Sequence, residues 1–210
     1  MKVDSELMNK INDILNWIAR LAYLNLLWIF FIVLGGIVFG FIPSTVAMFS
    51  IIRKWLYRHE DFPVIHHFFK VYRQEFIKSN FLGMILGIVG FIIYIDSQLI
   101  LAFNGFIKII LLGSFMTVTI LYLLVLFYIF PLFVHYQNGV FQHIKFAVLI
   151  GVSYPIRSLL MGISISSMLF ICFVFPAISF LFLGSGLGLI IMYFSHHLFM
   201  EIAEEQLLFD

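Results

Sequence analysis

The run LAYLNLLWIFFIVLGGIVFGFIPSTVAMFSII, residues 21–52, contains no charged side chain in thirty-two positions. It leads directly into Arg53, Lys54 and Arg58, and then Lys70, Arg73 and Lys78. One crossing of a bilayer takes about 20 apolar residues, so the run is too long for one pass and just long enough for two short ones. Gly35, Gly36, Gly40 and Pro43 mark where the chain is expected to reverse. The sequence predicts a first helix over 21–38 and a second over 39–55, forming a hairpin whose basic end fixes its orientation. The rival reading is one long helix followed by an interfacial segment that begins at Ser44, a residue suited to an N-cap.

The rest of the chain agrees with a membrane setting. Of 210 residues 63% are hydrophobic and 11% charged, with a mean hydropathy of +1.10, too few polar groups to cover a water-soluble globule of this size. The net charge of +1 lacks the basic excess of a general nucleic-acid binder. Cys172, the single cysteine, excludes an intrachain disulfide and argues against a thiolate metal site. Residues 1–20 have neither the compact apolar core nor the small-residue cleavage site of a signal peptide, so the first hydrophobic helix is expected to act as the targeting signal. Leu7, Ile11, Ile14, Leu15 and Ile18 recur at helical spacing opposite a polar face, the pattern of an interfacial amphipathic helix.

Outward from these segments, the expected order is an all-α polytopic transmembrane bundle in one domain. A basic cytoplasmic elbow over 56–80 is followed by a second hairpin over 81–136. A weaker elbow over 137–155, a third hairpin over 156–198 and an acidic tail over 199–210 complete it. Each half reads as an elbow, an outward helix and a returning helix. With six crossings and both termini cytoplasmic, Lys108 is the one basic residue outside and eleven lie inside; five crossings would leave four outside. The positive-inside rule therefore favours six over five.

Asn25-Leu26-Leu27-Trp28, Pro43-Ser44-Thr45-Val46-Ala47, Arg53-Lys54, Phe68-Phe69-Lys70 and Phe76-Ile77-Lys78-Ser79-Asn80 together resemble the YesL-like family of bacterial integral membrane proteins. The length and hydrophobic layout match along essentially the whole chain. Here Phe41-Ile42 separate Gly40 from Pro43, where the family usually places a glycine directly before the proline. The resemblance implies a place beside carbohydrate-uptake systems of the ATP-binding-cassette type, and it supplies no mechanism.

Candidate functional residues are few. Asn25 lies inside the first crossing, where an amide needs a partner, and interhelical hydrogen bonding is its expected role. Asp96 is the one acid inside an apolar stretch, expected near the outer interface and in contact with water. Arg53, Lys54, Arg58, Lys70, Arg73 and Lys78 form a basic belt suited to anionic lipid headgroups or a docked protein. Gly83, Gly87 and Gly90 allow close helix approach, and Ser164, Ser166 and Ser167 are similarly small. His197 and Glu201 have the spacing of two ligands on a helix face, yet no HExxH accompanies them, so no metal or cofactor is expected. No P-loop motif and no convincing nucleophile–base pair is present, so an enzyme is not expected. The leading reading is a non-enzymatic accessory or interaction protein; the alternative is a small secondary transporter or channel with Asn25 or Asp96 facing a watery path.

Overall fold

The computed structural model describes residues 2–57, 62–136 and 139–209, and among them every regular element is an α-helix. The seven are α1 (Lys2–Leu34), α2 (Val38–Leu56), α3 (Val64–Ile100), α4 (Phe106–His135), α5 (Val140–Ser153), α6 (Pro155–Val174) and α7 (Pro176–Phe209). Five stretches are long and apolar enough to cross a membrane: Lys10–Leu34, Val64–Ile100, Phe106–His135, Pro155–Val174 and Pro176–Ile202. The protein is a polytopic helical membrane bundle, and its lipid-facing surface carries side chains such as Ile77 and Phe173, both more than four-fifths exposed.

The reversal in the 21–52 run falls at Gly35-Gly36-Ile37, and α2 returns antiparallel to α1. Trp17 meets Trp55 at one end of the pair, and Trp28 meets Phe41 toward the other. Eleven of the nineteen residues of α2 are buried, so this helix is the hub of the bundle and faces protein more than lipid. It packs on α1, α3, α4 and α7. One core centres on Ile51, Ile52, Phe68 and Met192, and a second on Leu82, Tyr128, Ile129 and Leu198.

The elbow and the crossing read separately over 56–80 and from 81 onward form one helix, since α3 runs unbroken from Val64 to Ile100. Ser79 and Asn80, at the junction of those two segments, lie within it. Ser79 Oγ and Asn80 Nδ2 both donate to the Phe76 carbonyl, at 3.3 and 2.9 Å, and such back-bonding bends a helix without ending it. Phe68 and Tyr72 turn inward onto Phe31, while Phe69 is exposed on the neighbouring face. By contrast α5, with 14 residues, is a separate helix too short to cross. Pro155 and Pro176 open α6 and α7 at the first helical position, where the missing N–H costs nothing. Helix α7 continues through the acidic segment to Phe209, and Glu201 within it pairs with Arg157 at 2.9 Å.

Candidate functional site

The most concentrated polar contact in the interior joins α1, α2 and α7. Asn25, 1% exposed, donates from Nδ2 to the Phe180 carbonyl at 2.7 Å. Its Oδ1 accepts from the amides of Gly184 at 2.9 Å and Ser185 at 3.0 Å. Phe180 and Gly184 are ordinarily partners in one backbone bond of a helix, so this side chain inserts its own donor and acceptor into a turn of α7. Trp28, one turn along α1, donates from Nε1 to Thr45 Oγ1 at 3.1 Å, and Thr45 in turn donates to the Phe41 carbonyl at 2.7 Å. The two short motifs Asn25–Trp28 and Pro43–Ala47, distant in sequence, thus meet in space.

Small residues of α7 make this possible. A Cβ on Gly184 would stand 2.7 Å from the Trp28 ring and 3.0 Å from Asn25 Oδ1; one on Gly188 would stand 2.9 Å from Ile52. Ser44 and Ser185 are fully buried beside these contacts. Gly184, Ser185 and Gly188 are functional neighbours that were not among the candidates expected from sequence. The four-residue spacing of Gly184 and Gly188 is the signal that finds them, the same spacing as Gly83 and Gly87.

The glycines of α3 serve different neighbours. A Cβ on Gly83 would meet the Ile42 side chain at 2.5 Å, and one on Gly90 would meet the Tyr122 hydroxyl at 2.8 Å. Gly87, between them, faces open space. Ser164, Ser166 and Ser167 fold their hydroxyls back onto carbonyls of their own helix.

The basic belt divides into two groups. Arg53 donates to the Val134 carbonyl at the C-terminal end of α4, where a cation also suits the helix dipole, and lies 5.7 Å from the Tyr57 ring. Lys54 donates to His67 Nδ1 at 3.3 Å, which leaves His67 Nε2 to donate to Ser50 Oγ at 3.0 Å. Lys78 lies 5.1 Å from the Phe133 ring. These three hold helices together. Lys70 and Arg73 are exposed instead, and line a shallow groove with His66, Phe69 and Gln74. Arg58 lies outside the described residues.

Asp96 is exposed near the end of α3 and lines a hollow of about 270 Å³ with Ser114 and Val118 of α4. No group of three or more metal-ligating side chains occurs among the described residues. Glu201, half of the His197–Glu201 spacing, is committed to Arg157.

A many-helix membrane protein in which a buried amide and an indole, Asn25 and Trp28, tie helices to one another is thus the class defined by fold and site. Residues 21–97, which include the Asn25–Trp28 and Pro43–Ala47 segments, match the family described as "Protein of unknown function, DUF624". The uncharacterized protein YesL of Bacillus subtilis (strain 168) is 32% identical over 200 residues, 94% of this chain and 93% of that protein. YesV of the same organism is 32% identical over 178 residues, 85% and 86% of the two chains. YteU, also from that organism, is 44% identical over 138 residues, 66% of this chain and 62% of YteU. The chain belongs to this YesL-like family. No solved structure matches it.

Proposed function

We propose that the protein is a non-enzymatic accessory or interaction subunit of the bacterial cell membrane, with both termini cytoplasmic, working beside an ATP-binding-cassette system for carbohydrate uptake. The observation that carries the interaction reading is the division of the basic belt. Arg53, Lys54 and Lys78 are used inside the bundle, whereas Lys70 and Arg73 present their charge outward from a groove shared with His66 and Phe69. Exposed cations beside an aromatic side chain suit anionic headgroups at the cytoplasmic face, at about 1 kcal/mol for each basic residue near the surface. They equally suit an acidic surface of a transporter subunit. The uptake setting rests on the family resemblance alone.

The interior supports interaction over transport. Its buried amide and indole are satisfied by neighbouring helices, and two large grooves, about 980 and 740 Å³, are lined mostly by apolar side chains. Lys70→Gln with Arg73→Gln tests the proposal. In native membranes the double variant should insert normally, lose affinity for anionic lipid and release a co-purifying permease subunit of the uptake system. Retention of that subunit at the level of the unaltered chain refutes the docking role. Substrate flux by the purified protein in liposomes would support the transporter alternative.

A further inference from the structure

The turn between α1 and α2 packs beside α3 well short of that helix's end: a Cβ on Gly35 would meet the Tyr72 hydroxyl, and one on Gly83 would meet Ile42. Ile37, Val38 and Phe39 line one groove with Gly83, Met84 and Gly87. Gly87 is nine residues from Lys78 and nine from Asp96, the charges that bound the apolar part of α3. At about 1.5 Å per residue, each charge is roughly 13 Å away along the helix.

A second register agrees. Phe49 of α2 stacks on Phe130 of α4 at 5.5 Å. From there α2 has eleven residues back to its start at Val38, while α4 has twenty-four back to Phe106. The α3–α4 hairpin therefore stands about 20 Å beyond the α1–α2 turn. Its overhanging surface up to Asp96 is apolar, with Phe91 63%, Ile92 51% and Met116 56% exposed, so it too requires lipid around it. A bilayer core about 30 Å thick that covers the stretch from Lys78 to Asp96 encloses the α1–α2 turn at mid-depth.

The turn is built for that position. Between Leu26 and Ile42 the one polar side-chain group is the indole N–H of Trp28, which Thr45 accepts. The amides of Gly35, Gly36, Ile37 and Val38 donate to the carbonyls of Phe31, Val33, Ile32 and Gly36, all at 2.8–3.0 Å. Hydrocarbon tolerates a reversal only where backbone groups are satisfied within the protein. We infer that α1 and α2 form a re-entrant hairpin that enters and leaves on the cytoplasmic side, with lipid acyl chains filling the groove between its tip and Gly87. The absence of charge between Arg20 and Arg53 makes the positive-inside count the same for a re-entrant and a crossing hairpin, so that rule does not oppose the assignment.

The test uses the full chain with Cys172→Ala and a single new cysteine, either Val38→Cys at the short tip or Asn104→Cys at the long one. In intact cells a membrane-impermeant maleimide should label Asn104→Cys and react at least tenfold more slowly with Val38→Cys. Spin labels on the same variants in liposomes should give Val38 the high oxygen and low nickel-chelate collision of mid-bilayer, and Asn104 the reverse. Equal maleimide rates, or nickel-chelate access at Val38 matching that at Asn104, would overturn the inference.

Discussion

The two turns at residues 35–37 and 101–105 solve the same problem, reversing a helix pair, with opposite chemistry. The first has two glycines, a strained Ile37 at φ 64°, and amides that bond to nearby carbonyls. Its flanks from Leu26 to Ile42 carry no charge. The second contains Asn104 and is flanked by Asp96, Ser97, Gln98 and Lys108, groups that water satisfies. The contrast teaches that the length of an apolar run does not report how far its hairpin reaches. What sets the depth of a reversal is whether its polar groups need water, and here only one of the two turns does.

Backbone closeness separates the turns most sharply. A Cβ on Gly40 would stand 2.4 Å from the Ile32 carbonyl oxygen and 2.9 Å from that of Phe31, backbone atoms that cannot swing aside. Gly40→Ala should cost about 2–3 kcal/mol, as overpacked sites do. Gly105 has nothing within 4 Å of its Cβ and only a positive φ to preserve, so Gly105→Ala should cost about 1–2 kcal/mol. Equilibrium unfolding in mixed micelles ranks the two. Equal losses would mean that the short turn is no more tightly closed than the long one.

The next effect is at Asn25, which fastens the short hairpin to α7. Asn25→Leu should destabilise by about 1–2 kcal/mol, the upper range for an interhelical hydrogen bond in a membrane. The cost is bounded because the Gly184 and Ser185 amides can return to carbonyls of their own helix. Thr45→Val, which leaves the Trp28 N–H facing a methyl group, should cost about 1 kcal/mol. A double-mutant cycle with Trp28→Phe should then show the Thr45 change costing nothing further. Additive losses would show that the Trp28–Thr45 contact does not hold α1 to α2.

Much of this pairing of turns is legible in the amino-acid sequence. Gly35, Gly36, Gly40 and Pro43 mark the reversal to within a few residues, because a polar-free run can turn only where the backbone is permissive, although Gly40 and Pro43 fall inside α2; Asn25 stands out because an amide in hydrocarbon needs a partner. That partner, the backbone of α7, cannot be read, because a carbonyl available to a side chain leaves no trace in sequence. The division expected between an elbow over 56–80 and a crossing from 81 fails for a related reason: the Ser79 and Asn80 side chains at that junction bond within their own helix, which continues through it. The basic belt reads as one surface because charge is visible in sequence, whereas the carbonyl and ring contacts that engage Arg53 and Lys78 are not.

The smallest expected effect is at Asp96, and it calibrates the depth of both turns. The side chain is exposed nine residues beyond Gly87 and close to the Asn104 turn, so its carboxylate is expected in water or in the headgroup layer. Asp96→Asn removes the charge and keeps the shape, and a surface change of this kind shifts stability by no more than about 0.5 kcal/mol. Insertion and the unfolding midpoint should both be unchanged. A carboxylate held in hydrocarbon behaves differently: its removal would relieve a penalty of roughly 2.5–3.5 kcal/mol and raise stability measurably. Such a gain would place Asp96 inside the core, move the outer boundary beyond it and carry the α1–α2 turn away from mid-depth. An unchanged midpoint, with Asn104 still reachable from outside, keeps that boundary no farther out than Asp96 and leaves the short turn buried below it.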